Sequence, residues 1–282
     1  MKFALLGLLV ASPAFAYLPP SQFIVKNLVN KRSASLKSVR LKSHVTAMLG
    51  GPGSEKPAGA QLSVTTTYNV QSGALRVVVR EEAGKDLYLL ERAPGTLPSV
   101  DTFLFNPRLD EVIRVLRDRG IPIRTEDELQ AMQDESERRA SEVEYLSRWK
   151  GTYAWVIGRR TSLPGEIKDN GRIEPQLWVE KDSFSPLRLV LQNPGIAGGS
   201  PNWVDLRFEA LRYTRGFSFP KSITLAEKDG TILLREELSD IGINPPAPKG
   251  EETLKTPGFT EAGNLASAET RALIQKFVET IR

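Results

Sequence analysis

Two periods of apolar residues alternate along this 282-residue chain. After Pro19 and Pro20, Phe23, Ile24 and Leu28, with Val25 and Val29 beside them, form a stripe at helical spacing, and the prolines suit a helix start. From Val39 the period is two: Val39, Leu41, Ser43, Val45 and Ala47 share one side, and Arg40, Lys42, His44 and Thr46 the other. The loop GGPGSEKPAGA interrupts, and Leu62, Val64, Thr66, Tyr68 and Val70 resume the alternation. Gly73 turns the chain into Leu75, Val77 and Val79, and Gly84 into the run from Leu87 through Leu89 to Leu90. The pattern predicts an antiparallel meander.

A helical excursion follows. Asn106-Pro107 reads as a cap and first-turn proline, Leu109, Val112, Ile113 and Leu116 as the stripe, and Gly120 as the stop. Thr125 and Glu128 have capping-box spacing, opening a charged helix through about Ala140. Strands resume near Val143, with Tyr153, Trp155 and Ile157 on one face. In PQLWVEKDSFSPLRLVL, Leu177 and Val179, then Leu187, Leu189 and Leu191, make an apolar face. The opposite face, Trp178, Glu180 and Asp182, then Arg188, Val190 and Gln192, is mixed and is expected to stay mostly in water. Val204, Leu206, Phe208 and Ala210 alternate with polar residues, and FSFPKSITLAE turns through Lys228-Asp229-Gly230 into TILLREELSDIGI. Ten or eleven strands joined by short turns predict a mainly β, α+β domain over residues 17–243, with its helical insert near 106–140. Residues 244–265 read as a Pro/Gly-rich connector, and 266–282 as a closing helix on Leu273, Ile274, Phe277, Val278 and Ile281.

The first sixteen residues change the picture. Lys2, the apolar run from Phe3 to Val10 and the triplet Ala14-Phe15-Ala16 have the layout of a secretory signal peptide, so export with cleavage after Ala16 is expected. With no cysteine in the chain there are no disulfides and no lipid-modified cysteine, which points to a soluble, unanchored protein of a bacterial periplasm. The formal charge is only +4, but Lys26, Lys31, Arg32, Lys37, Arg40 and Lys42 crowd one stretch, either a solvated face or a weak site for anionic lipid headgroups.

Candidate chemistry is sparse. The single histidine, His44, falls on the basic face of its strand, and without cysteine or a second histidine a zinc site or Cys-His pair is disfavoured. GPGSEK and GGSPN lack the spacing of a nucleophile elbow, and GPGSEK lacks the ending of a phosphate loop. Glu81-Glu82, Glu236-Glu237 and Glu251-Glu252 are adjacent pairs that regular strands send to opposite faces, leaving open only a glycosidase pair assembled from distant strands. Trp149, Trp155, Trp178 and Trp203 read as sheet packing before sugar or base stacking. Neither an enzyme, a metal or cofactor site, nor a nucleic-acid partner is expected.

The order of signal-like segment, amphipathic helix leading into LKSVRLKSHVTAM, meander, helical insert, TYAWVIGRR and the hairpin resembles the LolA/LolB-like superfamily of periplasmic outer-membrane lipoprotein-sorting proteins. The hairpin carries the likeness in Trp178, Val179, Glu180, Lys181, Pro186 and Leu187. The resemblance implies a strongly curved antiparallel half-barrel with helices on its concave side, holding acyl chains of lipids or lipoproteins on its inner face. The lining it implies is Val45, Val64, Val77, Leu89, Trp155, Ile157, Leu177, Val179, Leu187, Leu189, Leu206, Phe208, Ile223, Ile232 and Leu234. An alternative of another class uses the same sheet as a filled scaffold that presents the charged helix near 126–139 to a protein partner in the envelope. Alternating apolar residues make a core and a cavity wall alike.

Overall fold

The computed structural model describes residues 18–32, 35–49, 56–81, 84–93, 100–131, 144–158, 174–193, 202–214, 217–227, 230–246 and 256–281. The expected signal peptide, the end of the charged helix and much of the connector lie outside them.

Twelve strands form one antiparallel sheet: β1 Ser38–Leu49, β2 Lys56–Asn69, β3 Leu75–Glu81, β4 Asp86–Arg92, β5 Glu144–Trp149, β6 Thr152–Ile157, β7 Gln176–Glu180, β8 Pro186–Asn193, β9 Asn202–Thr214, β10 Phe217–Ala226, β11 Ile232–Ile243 and β12 Gly258–Phe259. Their order is β12-β4-β3-β2-β1-β11-β10-β9-β8-β7-β6-β5, so the sheet is open, with β12 and β5 at its ends. Six helices accompany it among the described residues: α1 Ser21–Asn30, α2 Val100–Phe105, α3 Leu109–Asp118, α4 Glu126–Ala131, α5 Glu261–Leu265 and α6 Ala268–Ile281. The topology explains where the middle helices lie. The meander β1–β4 runs toward one end, yet β5 sits at the other, so the chain between them crosses the sheet carrying α2, α3 and α4. One core joins α1, α2, α3 and α6 to a single face of the sheet.

Local signals explain most elements. The capping box forms as its spacing predicts, with Glu128 N–H donating to Thr125 Oγ1 (3.2 Å) and Thr125 N–H to Glu128 Oε2 (2.8 Å). Gly120 follows α3 with φ of 85°, the left-handed stop. Three features depart from the pattern. Strand β2 begins at Lys56 inside the expected loop, because Gly59 and Ala60 bulge out of the ladder and let Lys56, Pro57 and Ala58 pair with Leu49, Met48 and Ala47 of β1. Helix α2 has six residues, all buried, Asp101 and Thr102 included, and is too short to show a period. Within the connector, β12 pairs with β4 and α5 follows, its N-terminus capped by Thr260, whose Oγ1 accepts from Gly263 N–H at 3.0 Å. Gly263 is required there, since a Cβ would stand 2.0 Å from the Leu87 carbonyl oxygen. The count of twelve strands exceeds the expected ten or eleven through β12. No helix is long and apolar enough to cross a membrane among the described residues.

Candidate functional site

Cross-strand partners share a face, so register assigns each residue to a side. Leu177, Leu189, Leu206, Leu225 and Leu234 pair in succession from β7 to β11, ending on Ala47 of β1. This leucine row lies under the helices. Beside it runs Phe208, Ile223, Glu236, Val45 and Leu62, and beyond that Ser43, Val64 and Val79. Val45, Val64, Val77, Ile157, Leu177, Val179, Leu189, Leu206, Phe208, Ile223 and Leu234 are therefore brought together in one core, with Trp155 partly buried at its border.

Three expected lining residues lie elsewhere, and irregular pairing is the reason. Leu89 pairs with Val78, on the face opposite Val77 and Leu90; in the run Leu87-Tyr88-Leu89-Leu90 hydrophobicity does not alternate, so the side was not readable. Leu187 is the extra residue of a bulge, with Trp178 opposite Arg188 and Val179 opposite Pro186, and it packs against Ala154, Val156 and Trp178 on the outer face. Ile232 pairs with Ala226 across another irregularity, while Leu233 packs against the helix-covered core.

Among the described residues, side chains of the helices pack closely on this face. Phe103 of α2 lies against Phe208 with ring centroids 6.2 Å apart, and Val112, Val115 and Leu116 of α3 and Phe277 of α6 complete the cover. A cavity of about 30 Å³ remains between Phe103, Val115, Leu189, Leu191 and Val204, with Arg92 and Arg119 at its edge. That is room for water and not for an acyl chain. Burial lowers the pKa of both arginines, and the charge of Arg92 lowers Arg119 further. An open groove of about 650 Å³ runs along the outer side of α3 by Leu109, Ile113, Arg114, Arg117, Gln22 and Thr125.

Polar groups inside the core were not foreseen as site residues. Glu236 is 0% exposed between Ile223 and Val45, and Ser43 Oγ donates to its Oε1 at 2.7 Å. The adjacent Glu236-Glu237 pair does split between faces, and the inward parity of Leu234 and Leu238 was the signal that Glu236 is the buried member. Tyr68 hydroxyl bonds Thr102 Oγ1 at 3.3 Å and accepts from Asn106 Nδ2 at 3.5 Å; burial raises its pKa. Arg32 donates to the Asn106 carbonyl at 2.6 Å, with its guanidinium 5.9 Å from the Phe103 ring centre. Burial lowers Arg32 to about 9, which leaves it charged at neutral pH and pinning α1 to the α2–α3 corner.

The expected basic cluster is divided by the fold. Arg32 turns inward, Arg40 donates to the Pro246 carbonyl, Lys42 is exposed opposite Asp240 in the β1–β11 register, and Lys26 and Lys31 stay at the exposed side of α1. His44 is exposed, as its strand parity indicates. Among the described residues, no three His, Cys, Asp or Glu side chains stand together as a metal site.

The outer face of β7–β9 corrects the expectation that it is mostly wet. Arg188 makes paired bonds of 2.8 and 3.0 Å to Asp205, both side chains being 3% exposed, and Arg207 adds a contact of 3.3 Å. The Trp149 ring lies 5.1 Å from the Arg188 guanidinium and 5.7 Å from that of Arg207, and 5.7 Å from Trp178. Charged residues read as solvent-facing in isolation are here paired, one aspartate between two arginines, and roofed by aromatics.

No family model matches the sequence, and no curated protein matches it significantly. Among solved structures, a LolA superfamily protein from Nitrosomonas europaea is similar with TM-score 0.46 and 11% identity, over 81% of this chain and 96% of that one. A domain from Vibrio parahaemolyticus described as outer membrane lipoprotein-sorting gives TM-score 0.41 and 10% identity over 81% and 94%. MucB in complex with MucA, from Pseudomonas aeruginosa, gives TM-score 0.30 and 13% identity over 84% of this chain and 61% of that one.

Proposed function

We propose that this chain is an exported, non-enzymatic carrier or sensor of lipid or lipoprotein acyl chains, and that the filled sheet is its closed state. In this reading the helix-covered face is the concave side of a half-barrel. The observation that carries it is the unbroken apolar surface from Leu177 to Leu234, covered by separate short helices instead of by a second sheet. The small cavity lies at the seam where α2 and α6 meet β8 and β9, with two arginines beside it, so outward movement of α2 would extend an existing gap. Each acyl methylene buried contributes about 0.8 kcal/mol, so a long chain can offset loss of the α2 contacts.

Phe103→Ala tests this by enlarging that cavity. Uptake of a fluorescent fatty acid by the variant, stronger than by the parent chain, is the expected result, and Leu189→Asp should abolish it in a protein that still folds. The packing of the described helices onto this face favours a second reading, a scaffold that presents α4 to an envelope protein. Under that reading Phe103→Ala costs about 3–5 kcal/mol of stability and gains no ligand, whereas removing α4 abolishes partner capture. Export is checked by the mass of the secreted product, which should begin at Tyr17.

A further inference from the structure

Among the described residues five large apolar side chains are strongly exposed, and three of them gather at one corner, Phe23 at 44%, Leu146 at 41% and Tyr153 at 47%, with Leu18 at 37% in the segment that leads into α1. Their proximity follows from pairing. Leu146, Trp155 and Val179 form a cross-strand row, and Val179 belongs to the helix-covered core, so Leu146 and its row-mates face the helix side. Tyr153 lies two residues before Trp155 on the same strand face. Helix α1 is held beside them, because Ser21 N–H donates to Glu144 Oε1 at 2.9 Å at the start of β5. Phe23 meets Phe184 of the β7–β8 turn edge to face at 6.2 Å. Phe184 has φ of 51°, a conformation that bulky side chains avoid, so the turn holds its ring toward Phe23 at a local cost.

Two aromatics of this corner have a cation close by: Lys31 Nζ is 5.7 Å from the Phe184 ring centre and the Arg148 guanidinium is 4.4 Å from that of Tyr153. Two exposed lysines are neighbours along the backbone, Lys181 through its main-chain N–H bond to the Tyr153 carbonyl and Lys26 one helical turn after Phe23. Glu144 is engaged inside the fold with Ser21 and Arg124, and Glu180 with the N–H groups of Asp182 and Ser183, while Asp182 of the turn and Glu126, whose N–H donates to Gln22 beside Phe23, stay exposed at the margin of the corner.

We propose that the corner formed by Leu18, Phe23, Leu146, Tyr153 and Phe184, ringed by Lys26, Lys31, Arg148 and Lys181, docks this protein on an anionic bilayer surface. Aromatic and aliphatic side chains enter the headgroup boundary while the lysines and arginine meet lipid phosphates. A strand partner is the less favoured occupant, because β5 is short and bears Glu144 and Arg148, the kind of charge that deters edge pairing. The assignment does not depend on acyl binding under the helices, which the Phe103→Ala uptake assay reads separately.

The test uses the chain lacking residues 1–16, which retains every described element, sedimented with phosphatidylcholine vesicles with and without phosphatidylglycerol. Binding is expected only with the anionic lipid and should weaken as salt is raised. Phe23→Ser with Leu146→Ser should lower the partition coefficient about tenfold or more, and Lys26→Gln and Lys31→Gln about fivefold each, with unchanged melting temperatures. The proposal is overturned by absence of binding to anionic vesicles at low salt, by equal binding to neutral ones, or by variants that bind like the parent. Self-association through β5 that the Phe23/Leu146 variant abolishes, without vesicle binding, would likewise overturn it and give the corner to a protein strand.

Discussion

Asp205 and Leu206 are joined by one peptide bond and live in different chemistries. Leu206 stands in the leucine row under the helices, 0% exposed. Asp205 faces the other way, into a cluster of Arg188, Arg207, Trp149 and Trp178. Both faces exclude water, by opposite means. The helix-covered face gains from removing apolar surface, and its strength is spread over many contacts. The outer face takes charged groups out of water, a cost offset only if the geometry is good. The two parallel bonds from Arg188, the second arginine and the tryptophan roof supply that geometry. One face should therefore degrade gradually under substitution and the other abruptly.

The sharpest break of this contrast is Asp205→Ala, which strands a buried guanidinium. It should cost about 3–5 kcal/mol in urea unfolding, while Arg188→Met combined with Asp205→Leu should recover most of that loss. A single-variant loss near zero would mean the outer cluster is solvated and the contrast false. Next is Leu206→Ala, expected to cost about 2–5 kcal/mol, with no recovery from a second truncation opposite it. Trp149→Leu removes the ring shared by two guanidinium groups and should cost about 0.5–2 kcal/mol, distinguishing a tryptophan roof from simple hydrophobic cover.

The smallest effect concerns the hairpin turn. Burial pushes Glu180 up, but the Ser183 side chain, the N–H groups of Asp182 and Ser183 and the charge of Lys31 outweigh it, so the carboxyl lies below its ordinary value. A depressed carboxyl contributes stability above its unfolded pKa and loses it as pH falls through the folded one. Melting temperature should thus decline slightly as pH drops below about 4.5, and Glu180→Gln should flatten that decline.

Much of this was legible in alternation. The long strands, the α3 stripe, the capping box and the closing helix follow from periods and caps with few local competitors. What escaped were features set by pairing. The bulge at Leu187 and the irregularity at Ile232 shift parity by one residue, and nothing in their apolar runs reveals it. Phe23 fits the helical stripe of α1 equally well, yet it is exposed because the helix meets the sheet on Ile24, Val25, Leu28 and Val29.

The sequence by itself determined a β-rich chain with one apolar side to most strands, because that follows from residue type and a period of two. Only the tertiary structure decided that the described helices pack over the apolar side, that Glu236 is buried within it, that the mixed side holds a buried Arg188–Asp205 pair beside two tryptophans, and that exposed apolar residues of α1, β5 and β6 share one corner. Each depends on which strands become neighbours, and β4 and β5, consecutive in the chain, lie near opposite ends of the sheet.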